Sequence, residues 1–184
     1  MHPRTWLAAS LATLALSVAP RIHADPHPGA PPAWFAAADL NGHTHSSREL
    51  AARPTLVVVC TSGDAQRAAN QWLTRAHVQL SHAGVRVVTV VALSLPFFIT
   101  EGMVRDRARP QLPANEWGDT WIEIHGAAQR ALGVADGSAT PYVFTVDQRG
   151  RVLASVHATV EHPTARVIFA SLAALLSVAI EPPI

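Results

Sequence analysis

Cys60 is the residue whose type most directly suggests chemistry, because it is the single cysteine of this 184-residue chain. A thiol becomes a nucleophile when a helix N-terminus or a basic neighbour lowers its pKa. A helix that begins near Asp64 and carries Arg67 could do so, although the Asp64 carboxylate would oppose thiolate formation. Cys60 also ends an apolar run, residues 55–59, where a cysteine is more often a small core residue. We therefore expect a buried thiol. A thiol-disulfide oxidoreductase or peroxidase that acts through Cys60 is the alternative.

The chain has ten histidines, and two of them raise the question of a metal site. His43 and His45 are two residues apart, so in a strand both side chains point to the same face. Two ligands do not close a copper or zinc site, and a third would have to come from His77, His82 or His125. We expect scattered, solvated histidines, no bound metal and no other cofactor.

The composition excludes two further classes of protein. A formal net charge of +1 gives no electrostatic basis for binding nucleic acid. One cysteine cannot form a disulfide within the chain, so the domain must be stabilised by its hydrophobic core.

The N-terminal residues have the pattern of a secretory signal peptide. An apolar run at residues 6–19 is followed by a small-residue cleavage point after Ala24, and the run is too short to span a bilayer. We therefore predict a signal peptide at 1–24, a flexible proline-rich lead at 25–32 and one domain at 33–184. The same pattern predicts a periplasmic or secreted protein with no stable membrane span after cleavage.

The remaining chain alternates strand and helix patterns. Residues 55–59 are continuously apolar and β-branched, which is typical of a central strand that is buried on both faces. Ser62 could cap the helix that follows, and Ser46 with Glu49 has the capping-box spacing. Alternation followed by a hairpin predicts a mixed sheet with helices on both faces. We predict a hairpin around Asn41-Gly42, strands at 55–59, 85–95, 120–122, 139–147 and 151–156, and helices at about 64–76, 101–109, 126–132 and 165–179.

Several of these segments, in this order, resemble the thioredoxin-like fold, in particular the exported TlpA/ResA-type proteins and the peroxiredoxin relatives. The resemblance covers nearly the whole predicted domain. It rests on Asn41-Gly42 in a hairpin, on Pro54 before the central strand and on the strings at 122–134 and 139–152. It implies an α/β thioredoxin-like domain with an N-terminal hairpin extension. It also implies a cis peptide bond between Thr140 and Pro141, which is uncommon elsewhere.

The chain departs from that family at the redox centre. The family carries a Cys-x-x-Cys pair at the start of the helix after the central strand, where this chain has Asp64 and Arg67. YtfJ-type proteins are similar in lacking the pair. A dithiol mechanism needs a resolving thiol within reach, and none is present. We therefore expect a non-enzymatic binding or accessory protein with an unknown protein or peptide partner. The candidate surface is Thr61, Asp64, Arg67, Thr140 and Pro141.

Overall fold

Residues 33–80 and 83–180 are described by the computed structural model. The predicted signal peptide at 1–24 and the proline-rich lead at 25–32 lie outside these residues. So does His82, one of the candidate metal ligands.

A seven-stranded mixed sheet forms the centre of the structure. The strand order is β2-β1-β5-β4-β3-β6-β7. β3 is parallel to β4 and antiparallel to β6, and all six of its residues are buried. Its uninterrupted apolar and β-branched sequence suits a strand with helices over both faces. The strands are β1 Ala36–Asp39, β2 Thr44–Ser46, β3 Thr55–Cys60, β4 Arg86–Ala92, β5 Thr120–Glu123, β6 Tyr142–Val146 and β7 Val152–His157.

In the described part of the chain, four α-helices cover the two faces of the sheet. One face carries α3, whose Ala128 and Leu132 pack in a core with Val57 and Val59. The opposite face carries α1 and α4, which pack against Leu56 and other residues of the core there. The helix α2 covers the β4, β5 and β1 side of the sheet, through an apolar stripe on an otherwise charged helix. The helices are α1 Gln66–Leu80, α2 Glu101–Ala108, α3 Ala127–Leu132 and α4 Ala165–Ile180.

The thioredoxin-like architecture predicted from the sequence is confirmed. The N-terminal hairpin is the pair β1 and β2, and the mixed sheet has helices on both faces. The predicted capping box is also present, at the 3-10 helix Ser47–Ala51, where Ser46 and Glu49 bond each other's backbone.

The last helix, α4, is apolar nearly all round but is only half covered. Ile168 and Leu172 are buried, whereas Val167 on the outer face is 53% exposed. Among residues 33–80 and 83–180, we find no helix that combines the length and the hydropathy needed to cross a bilayer.

Candidate functional site

Cys60 lies in the core beneath the first turn of α1. Its side chain is 6% exposed and packs in the same cluster as Ala65, Ala69 and Trp72. Burial raises the pKa of the Cys60 thiol to about 12. A thiol reacts as its thiolate, and the low-dielectric surroundings disfavour the charged form. Cys60 is therefore protonated at neutral pH and is not part of the surface formed by the other candidate residues.

The turn that follows β3 is joined by hydrogen bonds to the loop that precedes β6. The backbone N–H of Ser138 donates to Thr61 Oγ1 at 3.0 Å, and the N–H of Gly137 donates to the Thr61 carbonyl at 3.1 Å. Ser62 Oγ donates to the Ser138 carbonyl at 2.7 Å. The prediction that Ser62 caps the helix with its side chain is wrong, because its hydroxyl is used in this contact between loops.

The Thr140–Pro141 peptide bond is trans, so the cis bond implied by the resemblance is wrong. The residues before the proline form a tight turn around Ser138. Its Oγ accepts from the backbone N–H of Thr140 at 3.1 Å and donates to the Thr140 carbonyl at 2.7 Å. This turn is compatible with the trans isomer, which an X-Pro bond favours by about 0.5–1 kcal/mol.

Asp64 and Arg67 are both exposed at the start of the helical segment after β3. Asp64 lies in the short 3-10 helix Gly63–Ala65, and Arg67 lies in the first turn of α1. No ion pair joins the two side chains within the part of the chain that the structure describes. Together they border an open depression, which they share with Gly63, Gln66 and Asn70.

Two of the candidate residues, Thr61 and Thr140, are connected by hydrogen bonds through Ser138. Pro141 is buried behind this contact, so it supports the surface without being exposed on it. The charged pair Asp64 and Arg67 lies beside the contact as an exposed pair of opposite charges.

A cavity of about 210 Å³ lies between α1, α2 and the sheet. Cys60 and Ala69 form part of its wall, and the exposed side chains of Gln66, Arg107 and Gln111 also line it. Sequence analysis missed this cavity, because it depends on how α2 is placed against the sheet. The available signal was the stripe of Val104, Ala108 and Leu112, spaced four residues apart on a charged helix.

His45 is not the solvated histidine that the sequence analysis expected. Its ring is half-buried and stacked on the Trp121 ring, with ring centroids 4.9 Å apart. Its Nε2 lies 3.1 Å from Asp39 Oδ2 and its Nδ1 lies 2.8 Å from Glu49 Oε2. Burial opposes its protonation, but these carboxylates outweigh burial and raise the pKa of His45.

Asp39 is the buried partner of this histidine. Burial alone would raise the pKa of Asp39, but the bond with His45 and the N–H of His43, which donates to Oδ1 at 2.8 Å, outweigh it. The pKa of Asp39 falls to about 2. Across the described ranges, no group of three or more histidine, cysteine or acidic residues is placed to hold a metal ion.

Solved structures similar to this chain share the thioredoxin-like fold. A protein from Chlorobium tepidum, assigned as thiol:disulfide interchange protein DsbE, matches with a TM-score of 0.58 and 19% identity, over 81% of this chain and 97% of its own. An exposed lipoprotein thioredoxin from Streptococcus pneumoniae matches with a TM-score of 0.55 and 16% identity, over 78% of this chain and 100% of its own. An uncharacterised conserved protein from Geobacillus kaustophilus matches with a TM-score of 0.60 and 15% identity, over 82% of each chain.

These likenesses define the class of protein by fold. The chain is a thioredoxin-fold protein whose single cysteine lies in the core. No protein-family model matches its sequence, and no curated protein matches it.

Proposed function

We propose that this chain is an exported binding or accessory protein that uses the thioredoxin fold without thiol chemistry. The observation that carries this proposal is the position of its only thiol. Cys60 is buried with a pKa of about 12, whereas the positions that hold the dithiol in thioredoxin-like enzymes carry exposed Asp64 and Arg67. The export part of the proposal is supported by the signal-peptide pattern at residues 1–24.

The alternative, a one-cysteine reductase or peroxidase, requires a thiolate that a substrate can reach. Burial disfavours that thiolate, and the chain offers no second cysteine to resolve a mixed disulfide or a sulfenic acid. Burial is the cause of the raised pKa of Cys60, and it acts against ionisation.

The partner that fits the surface is a peptide or protein segment with charged side chains. Thioredoxin folds can receive an extended peptide by main-chain pairing at the loop before β6. Here, however, Ser138 Oγ already bonds both the N–H and the carbonyl of Thr140. Recognition would therefore depend on the exposed side chains of Asp64 and Arg67, and Thr61 would hold the neighbouring loop in place.

The first test asks whether Cys60 has a chemical role. Insulin disulfide reduction and thiol-dependent peroxide consumption should be indistinguishable between the wild-type protein and Cys60→Ala. Turnover that the wild type shows and Cys60→Ala lacks would overturn the non-enzymatic proposal.

The second test addresses the surface. The purified protein is screened against a displayed library of random extended peptides, and the enriched peptides are measured with Arg67→Glu and Asp64→Lys. Each reversal should weaken binding about tenfold or more, because it replaces attraction by repulsion at an exposed contact. Arg166→Glu, an exposed reversal on α4, is the control and should leave binding unchanged. If no peptide is enriched, or if all variants bind equally, this surface is not the site.

A further inference from the structure

The cavity between α1, α2 and the sheet adjoins the depression at Asp64 and Arg67, because Gly63, Gln66 and Asn70 line both. The peptide surface proposed above uses the exposed depression and leaves the inner end of the cavity unused. Cys60, Ala69 and Thr120 line it with side chains that are at most 6% exposed, so the cavity reaches the core. Gln66 and Arg107 line it with exposed side chains, so it also opens to solvent. The result is a space with an inner end in the core and a polar mouth.

The size of this space selects a class of ligand. A cavity of about 150 Å³ with apolar walls can bind benzene. The present cavity holds about 210 Å³. The excess of about 60 Å³ corresponds roughly to two water molecules. The space therefore fits one aromatic ring with a single small substituent.

The charge at the mouth selects the substituent. Arg107 is the one charged side chain that lines the cavity within the described part of the chain. It forms no ion pair with any described residue, since the neighbouring carboxylate of Asp106 lies 3.4 Å from Arg109 Nη1 instead. A guanidinium offers a planar pair of donors that matches a carboxylate. The mouth therefore favours an anion with two oxygens.

The mouth is also held in shape by the chain itself. Gln66 Nε2 on α1 donates to Gln111 Oε1 at 3.3 Å, and Gln111 Nε2 donates to the Arg107 carbonyl at 3.0 Å. These bonds link α1 to the 3-10 helix Arg109–Gln111, which continues α2, and to the Arg107 backbone. A ligand would therefore enter an opening whose two walls are already connected.

We propose that this cavity binds a small aromatic carboxylate of about the size of benzoate. The ring lies against Ala69 and Cys60, and the carboxylate lies at Arg107. The Cys60 side chain contributes apolar surface to the wall and takes no covalent part in binding.

Isothermal titration of the purified protein with benzoate, benzamide and acetate tests the proposal. Benzoate should bind with a Kd of roughly 0.1–1 mM, a range that suits so small a ligand. Benzamide should bind about tenfold more weakly, because it lacks the charge that strengthens a hydrogen bond to a guanidinium. Acetate should show no saturation, because it lacks the ring.

Variants separate the two ends of the site. Arg107→Gln should weaken benzoate about tenfold and leave benzamide unchanged, whereas Arg166→Gln, an exposed arginine on α4, should change neither. Ala69→Leu should abolish the binding of both benzoate and benzamide, because the larger side chain fills the cavity. If that variant melts early, Leu73→Phe, at a half-buried position of the same wall, replaces it. The proposal is overturned if benzoate does not bind, if the filled variant binds it normally, or if Arg107→Gln affects both ligands equally.

Discussion

The reactivity of Cys60 in the folded protein is the most informative prediction, and its size follows from the burial of the thiol. Burial raises the pKa of Cys60 from 9.0 to about 12. Near neutral pH, that change lowers the thiolate fraction about a thousandfold, and the thiolate is the species that reacts. The folded protein should therefore be alkylated at least about a thousandfold more slowly than the unfolded chain.

The assay is alkylation by iodoacetamide at pH 8, followed by intact-mass measurement, in native buffer and in guanidinium chloride. A matched control places a cysteine on the exposed side of α1, as Gln71→Cys in a Cys60→Ala background. That thiol should react at the same rate whether the protein is folded or unfolded. The native rate of Cys60 should rise about tenfold for each pH unit and show no plateau below pH 10.

Two results would refute this reasoning. One is a native rate within about tenfold of the unfolded rate, which would mean that the thiol is accessible and ionisable. The other is a rate that levels off below pH 8, which would mean a lowered pKa. Either would restore the enzyme hypothesis, and a mixed disulfide with Cys60 would then be the species to trap.

Three further predictions concern stability. The pKa of Asp39 falls from 3.8 to about 2 on folding, so its contribution is present above pH 4 and lost towards pH 2. Lowering the pH from 4 to 2 should therefore reduce the free energy of unfolding, measured in urea, by about 2 kcal/mol. Asp39→Asn should weaken this dependence of stability on pH. The raised pKa of His45 acts in the opposite direction. The contribution of His45 to the free energy of unfolding is complete below pH 6.5 and is lost as the pH rises through the pKa of His45 in the folded protein. His45→Gln should therefore remove the fall in stability on the alkaline side. Thr61→Val leaves the Ser138 N–H without its acceptor and should cost about 1–3 kcal/mol, with faster amide exchange at Ser138. Thr159→Val, at an exposed position, is its control, and equal losses would contradict the role given to Thr61.

The fold could be predicted because its signals are local. The buried strand β3 is recognisable from its continuous apolar residues, and the first hairpin from Asn41-Gly42. The capping box at Ser46 and Glu49 follows from a spacing of three residues. Each of these patterns acts within a few residues, so the local preference and the final structure agree.

The details of the site could not be predicted, because they depend on partners far away in the chain. Ser62 has the right type and position for a helix cap, yet its hydroxyl bonds a carbonyl 76 residues later. His45 has the pattern of a surface histidine until the ring of the distant Trp121 stacks against it. The trans bond before Pro141 differs from the cis bond that the resemblance implied, and it accompanies a local turn in which Ser138 Oγ bonds the N–H and the carbonyl of Thr140.

The bonds between the turn after β3 and the loop before β6 also determine when this surface can exist. Thr61 and Ser138 are 77 residues apart, and β3 must pair with β6 before they meet. Contacts of such long range form late, since the chain must close a large loop before it gains the contact. Until β6 is in place, the turn that carries Thr61 has no partner, so a partly folded chain would not present the peptide surface. A partner that binds this surface would thus bind only chains that have completed folding.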